Sequence, residues 1–389
     1  MRFSHIKLKN WRNFGEVDCD LPERAFIVGP NASGKSNFLD VFRFLRDIAS
    51  MGLEYAVEER DGFHKIRSLH ATRNPDVEIE VDISDKKTKW KYRISIEKVK
   101  GGSKPRNPVQ IKSEIIKKDG KEILRRPNKD DIDDPAQKKQ SYLTLLTANK
   151  EFRPIVNFLK EVSYTHFLPQ IIRNPELFPF PQGNDDTFGW RLIENVTKEK
   201  KPDIESRLRK ISEALQIIVP QLKDLNLTEP DVRGRRHLEC RFKHWRYGKV
   251  SKQNEKDFSD GTLRMIGLFW MLLEGKGLLL MEEPELYLHS SVIKKLPYLF
   301  YKVSHLQENR RQMIISTHSL ELVQNQNGVQ AEEILLVKPT QNGSRLIPLP
   351  KIPAIRALLE ADLDYASIIE VETKPPEIDT QELHLPLTR

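Results

Sequence analysis

The 389-residue chain carries 64 Lys+Arg against 56 Asp+Glu, a formal charge of +8, and is 38% hydrophobic and 31% charged. That length supports one large domain or two ordinary ones, and so modest a positive excess implies a polyanion partner only where the cations cluster. Cys19 and Cys240 stand alone, which excludes a disulfide framework or a cysteine zinc site and fits a reducing cytoplasm; the start Met1–Leu8 lacks the apolar core of a signal peptide, and no uncharged run nears the ~20 residues of a membrane span.

In chain order, residues 3–14 read as an edge strand with Ile6 and Leu8 inward. Phe26-Ile27-Val28 reads as a buried strand leading into Gly29-Pro30-Asn31-Ala32-Ser33-Gly34-Lys35-Ser36-Asn37, which has the phosphate-loop spacing G-x-x-x-x-G-K-S. The chemistry explains the spacing. Gly29 and Gly34 permit backbone conformations closed to other residues, so that successive amides can turn inward around a phosphate. Lys35 can reach the terminal phosphates, Ser36 can offer its hydroxyl to Mg²⁺, and the next helix points its positive end at the anion. Phe38, Leu39, Phe42, Leu45, Ile48 and Ala49 supply the stripe of that helix.

A β-rich stretch follows. Val77, Ile79, Val81 and Ile83 alternate with acids, and Trp90, Tyr92, Ile94 and Ile96 alternate with polar residues beyond a turn at 85–88. A second hairpin is expected around Asp119-Gly120, so an antiparallel lobe spans about 60–130, followed by an exposed loop over 127–140. Ser163–Leu168 reads as a strand, and 172–190 as an irregular connection between two halves. Ile204, Leu208, Ile211, Leu215 and Ile218 recur at coiled-coil spacing, but Pro220 stops the run after two heptads. A short amphipathic helix on the lobe fits better than a dimer zipper. Leu238, Cys240 and Phe242 alternate on a further strand in a helical and β segment over about 196–250.

Three more clusters carry chemistry. Ser259-Asp260-Gly261 opens the apolar helix Met265–Leu273; alone this is an N-cap, yet its hydroxyl, amide and dipole can also hold an anion. Leu278–Met281 ends in Glu282-Glu283-Pro284-Glu285, the form of a central parallel strand whose tip faces phosphates. There the first carboxylate can hold Mg²⁺ and the second can polarise an attacking water. Finally, Met313–Ser316 leads to Thr317-His318-Ser319, another apolar strand with a polar tip.

This set, in this order, resembles the ABC-type ATPases. The wording of Leu8–Phe14, Gly29–Asn37, Ser259–Arg264, Glu282–His289 and Ser316–Ser319 is similar to the OLD (overcoming lysogenization defect) family and its recombination and chromosome-maintenance relatives, over about residues 1–340. The resemblance implies an α/β P-loop NTPase, an ABC-type ATPase head with a mixed central sheet, an antiparallel β lobe and a helical lobe. It implies ATP and Mg²⁺ at Gly29, Pro30, Asn31, Ala32, Ser33, Gly34, Lys35, Ser36 and Asn37, with Glu282 supporting the metal, Glu283 as catalytic base and His318 sensing the γ-phosphate. Ser259 and Gly261 would contact a nucleotide held by a second subunit, making an ATP-sandwiched dimer. Glu282 stands where most ABC proteins have Asp, and the lobe-linking glutamine is either Gln140 or Gln170.

Two accessories of these relatives are not legible. The helix at 203–218 is no long coiled coil, and residues 319–389 hold only Asp362-Leu363-Asp364, in a helical pattern, where OLD nucleases carry a Toprim domain; the tail from Glu372 reads as disordered. The expectation is therefore an ATPase head over 1–340 with a C-terminal helix and tail. It would work in nucleic-acid surveillance and anti-phage defence with a separately encoded effector. An ATP-dependent scaffold, a DNA repair or recombination ATPase and a transporter subunit are the alternatives. Candidate DNA contacts are Lys86-Lys87 through Arg93, Lys100–Arg106, and Arg233–Arg236 with Arg241, Lys243, His244, Trp245 and Arg246, against the plainer reading of solvated strand faces.

Overall fold

The apolar run before the phosphate loop is buried along its whole length, and its successive side chains enter different cores. Ala25 and Ile27 join one cluster and Phe26 and Val28 the other, as a strand covered on both faces requires. This computed structural model describes residues 1–71, 76–99, 109–179, 186–232, 234–243, 250–307, 310–324, 327–341, 343–353, 355 and 364–373.

The strands are β1 (Arg2–Trp11), β2 (Phe14–Asp20), β3 (Arg24–Val28), β4 (Val77–Ser84), β5 (Lys89–Lys98), β6 (Val109–Lys118), β7 (Lys121–Arg126), β8 (Ser163–Thr165), β9 (Leu222–Leu227), β10 (Leu238–Lys243), β11 (Val250–Asn254), β12 (Leu279–Glu282), β13 (Met313–Thr317), β14 (Ile334–Thr340) and β15 (Gly343–Pro348). A 12-stranded mixed sheet runs β7-β6-β5-β4-β1-β2-β15-β14-β3-β13-β12-β8, and β11-β10-β9 form a smaller antiparallel sheet. Within the large sheet, β14, β3, β13, β12 and β8 are parallel neighbours, so their C-terminal ends share one edge. The helix Lys35–Met51 packs its stripe into the first core, and the helices Lys201–Leu215, Asp260–Leu273 and Leu296–Ser304 fill the second.

Several expectations change in three dimensions. β1 is not an edge strand: it pairs antiparallel with β2 on one side and β4 on the other, so the β4–β7 lobe continues the main sheet. Its inward Phe3, Ile6 and Leu8 are buried, and outward Lys7 pairs across the strands with Asp18 at 2.7 Å. Both expected hairpins form; the second turns through Asp119 and Gly120, each with positive φ (49° and 82°), the two-residue geometry matched to strand twist. The expected loop at 127–140 instead holds the helix Lys129–Asp133 and a 3₁₀ turn at Pro135–Lys139. Arg126 orders it: this guanidinium, 2% exposed, binds Asp131, Glu114 at 3.1 Å, and the carbonyls of Gln137 (2.9 Å) and Gln140 (2.7 Å). A buried cation left without such partners would be costly.

Ile204, Leu208, Ile211 and Leu215 are all buried against β9 and the helix Asp260–Leu273, so this stripe belongs to the core and not to a dimer zipper. Beyond residue 340, β15 completes a strand pair with β14, and a helix spans Tyr365–Thr373. The helical pattern around Asp362-Leu363 and the tail from residue 374 lie outside the described residues. Cys19 and Cys240 are buried and unbridged, and burial pushes each thiol up to about 12, which keeps it unreactive.

Candidate active site

Beyond Val28 the chain must reverse direction within a few residues to enter the helix Lys35–Met51, and two glycines make this possible. At Gly29 a Cβ would lie 2.6 Å from the Val337 carbonyl; at Gly34, where φ is +107°, it would lie 2.0 Å from Asn13 Nδ2. Ala32 also takes positive φ (61°), and the Ser33 amide donates to the Pro30 carbonyl at 3.2 Å, closing the loop on itself. Asn31, Ala32 and Ser36 are exposed at its rim, while Ser33 and Lys35 are buried. The Lys35 ammonium donates to the carbonyls of Gly29 (2.8 Å) and Pro30 (3.0 Å). Burial lowers its pKa, against the attraction of Glu283, Glu285 and Glu282.

The loop rests on the turn between β1 and β2. Asn13 Nδ2 donates to the Ser33 carbonyl and to Ser344 Oγ, both at 2.7 Å; Ser344 Oγ donates to the same carbonyl at 2.6 Å; and Asn37 Nδ2 donates to Asn13 Oδ1 at 2.8 Å. Beside it, Trp11 Nε1 donates to the Asn37 carbonyl (2.7 Å), and Arg12 binds Asp40 (2.6 Å). Asp40 is also gripped by Arg60 through two bonds of 2.8 and 2.9 Å. Burial pushes the Asp40 carboxyl up, but Arg60 with Arg12 and Arg43 outweighs it and leaves its pKa below the ordinary value. The only sequence signal for this brace was the Leu8–Phe14 wording, which carried a resemblance but no role.

β12 places its acids opposite the loop. Glu282 Oε1 accepts a hydrogen bond from Ser36 Oγ, and Oε2 accepts one from Tyr164 Oη on β8. Glu283 follows with left-handed backbone (φ 45°), a conformation that costs a non-glycine residue about 1–2 kcal/mol. Its amide donates to the Ser316 carbonyl (2.9 Å), and its Oε1 lies 3.1 Å from His318 Nδ1. Glu285, 4% exposed, accepts from Thr317 Oγ1 (2.5 Å) and from the His318 amide (3.3 Å), fixing the strand tip that carries the imidazole. Arg264, fully buried on the helix Asp260–Leu273, donates to the Glu283 carbonyl (2.6 Å) and to the Phe167 carbonyl. Burial draws this guanidinium down to about 10. It ties the helix Asp260–Leu273 to the acidic strand tip.

Loop residues 29–36 and the side chains of Glu282, Glu283 and His318 therefore meet at the C-terminal ends of β3, β12 and β13, where open α/β sheets bind ligands. Among the described residues no hydrogen bond joins Ser259 or Gly261 to the loop. Ser259 is exposed and caps its helix, accepting from the Thr262 amide at 3.2 Å, while a Cβ on Gly261 would meet Tyr287 and Leu288. Of the two glutamines, Gln170 follows β8 and donates to Asp260 at 3.3 Å; Gln140 lies at the base of the β lobe, where its carbonyl holds Arg126.

The basic clusters divide. Lys91 pairs with Glu80 and Asp82, Arg93 with Glu78, and Arg241 with Asp224, so these are neutralised strand faces. The clusters at 100–106 and at 244–246, with Arg233, lie outside the described residues. At the lobe tip, however, Lys89 and Asp119 exchange backbone and side-chain bonds of 2.7 and 2.8 Å, holding the two hairpin turns side by side. There Lys86, Lys87, Lys89, Lys117 and Lys121 carry no ion pair among the described residues.

A family model described as "AAA domain, putative AbiEii toxin, Type IV TA system" matches residues 24–324. The endonuclease GajA of Bacillus cereus (strain VD045) is 49% identical over 47 residues, which is 12% of this chain and 8% of that protein, so the chain matches a small part of that relative's length. A crystal structure of the SMC head bound to the C-winged helix domain of ScpA superposes with a TM-score of 0.52 at 16% identity, covering 92% of this chain and 100% of that one. The SMC head domain from Thermotoga maritima gives 0.46 at 14% identity, over 90% and 99%. At 16% identity the likeness to the first SMC head is one of fold. Since the family match runs from β3 past His318, the chain belongs to this family of AAA domains: it is a P-loop ATPase with the α/β fold of an SMC-type head.

Proposed function

We propose that this chain binds and hydrolyses ATP with Mg²⁺, dimerises through the bound ATP, and serves as the sensor or regulatory subunit of a nucleic-acid surveillance system acting in anti-phage defence, with a separately encoded nuclease or toxin as effector. The observation that carries the ATPase part is the convergence of Lys35, Ser36, Glu282, Glu283 and His318 at the ends of three adjacent parallel strands. The amides of the loop and the Lys35 ammonium hold the phosphates. Ser36 and Glu282 would hold Mg²⁺. They fit it, because both are hard oxygen donors brought side by side, and Mg²⁺ takes one or two protein oxygens and completes its shell with phosphate and water. When bound, Mg²⁺ neutralises charge on the phosphate oxygens. Glu283 accepts the proton of the attacking water, in an orientation set by its left-handed backbone, and His318 stands beside it to contact the γ-phosphate.

The exposed Ser259 hydroxyl, with no hydrogen bond among the described residues joining Ser259 or Gly261 to the loop, supports a nucleotide shared with a second copy. The GajA segment and the family description support the defence setting. ScpA on the SMC head offers a precedent for a partner docked on this fold. The lysine-rich hairpin tip favours DNA as the surveyed polymer. Glu283→Gln is the test. Turnover is expected to fall by about 10²–10⁴, the contribution of a positioned base, with ATP binding retained and ATP doubling the mass seen by light scattering. Wild-type turnover in the variant, or a mass indifferent to ATP, overturns the reading.

A further inference from the structure

Glu282 is one methylene longer than the aspartate that most ABC proteins have at this position, and its extra rotatable bond must be held if the carboxylate is to be fixed. The sheet register names a candidate. β8 runs parallel to β12 with Leu280 opposite Tyr164, and Glu282 lies two residues beyond Leu280, hence on the same face as Tyr164. Leu280 belongs to the first core and Tyr164 packs against it. A tyrosine lying forward along that face spans the diagonal to the next residue pair, a reach that long aromatic side chains have.

Its hydroxyl meets Glu282 Oε2, while Ser36 Oγ occupies Oε1, so both carboxylate oxygens are tied. The ring is held in turn: the Arg43 guanidinium lies over it, 4.2 Å from the ring centre. Arg43 and Ser36 sit on the same helix, Lys35–Met51. The contacts Arg43–Tyr164–Glu282–Ser36 therefore leave that helix, pass through two strands and return to it. A phenol is un-ionised at neutral pH and so serves as the donor to the carboxylate.

We propose that Tyr164 is a positioning residue that fixes the Glu282 carboxylate in the orientation a divalent metal requires beside Ser36. This rests on the Mg²⁺–ATP reading above. Tyr164 would touch neither nucleotide nor metal, so its loss acts on metal uptake and not on the loop.

The test uses the full chain, a fluorescent ATP analogue read by anisotropy in EDTA, and Mn²⁺ uptake with ATP read by electron paramagnetic resonance. Tyr164→Phe is expected to bind the analogue in EDTA within about twofold of wild type. Its Mn²⁺ midpoint is expected to rise about tenfold, which corresponds to ~1.4 kcal/mol. In a Glu282→Asp background, whose shorter acid does not reach the phenol, the same change is expected to shift the midpoint less than about twofold. An unchanged Mn²⁺ midpoint, an equal shift in both backgrounds, or loss of analogue binding in EDTA overturns the positioning role. Absence of Mn²⁺ uptake with ATP in the wild type overturns the ATPase reading itself and is distinguishable from all three.

Discussion

Gly34→Ala isolates two demands that the structure places on one residue. The first is backbone: at φ +107° an alanine adopts a conformation costing about 1–2 kcal/mol. The second is space: the new methyl would lie 2.0 Å from Asn13 Nδ2, so the amide must withdraw. Withdrawal breaks its bonds to the Ser33 carbonyl, Ser344 Oγ and Asn37 Nδ2. At about 0.5–1.5 kcal/mol each, and with Ser344 Oγ still serving the Ser33 carbonyl at 2.6 Å, that loss is about 2–3 kcal/mol. Gly34→Ala should therefore cost about 3–5 kcal/mol in the wild type, Asn13→Ala about 2–3, and Gly34→Ala in the Asn13→Ala background only the backbone part, about 1–2. The coupling of about 2–3 kcal/mol is read from urea denaturation of the four proteins by circular dichroism, with ATP-analogue anisotropy in parallel. All three variants should bind the analogue more weakly than wild type. Additivity within about 0.5 kcal/mol refutes the reasoning, because it would mean that Asn13 does not fill the space Gly34 leaves.

Two further outcomes follow from the electrostatics. Glu285 Oε2 is buried without a hydrogen-bond partner among the described residues, and burial raises the carboxyl's pKa above its ordinary 4.5. The folded state then holds this proton more tightly than the unfolded chain, so the wild type loses stability as pH rises from about 4.5 through the raised value. Glu285→Gln has no such proton. Its melting temperature should gain on the wild type between about pH 4 and pH 8, and parallel curves would show that Glu285 is not desolvated as described. Lys86→Glu with Lys121→Glu should weaken binding of double-stranded DNA and reduce the slope of log affinity against log salt by about 2. A wild type that does not bind DNA at low salt removes the nucleic-acid part of the proposal.

The sequence by itself determined the contiguous features. The loop Gly29–Ser36 is legible because its two glycines, lysine and serine act within one reversal of the backbone, and local spacing encodes local geometry. The same holds for β4 and β5, whose alternation records a sheet face, and for Ile204–Leu215, whose period records a helix face that packs inward. Spacing could not reveal what the strands bring together from afar. Asn13 braces Ser33 across the β1–β2 turn, Ser344 joins it from 311 positions away, and Tyr164 meets Glu282 across 118. It is likewise the sheet order that makes β1 an interior strand, and a buried guanidinium, Arg126, that folds the polar stretch after it. These pairings depend on strand register, which is set by the summed packing of two cores, and each hydrogen bond in them became possible only once that packing had fixed the distances.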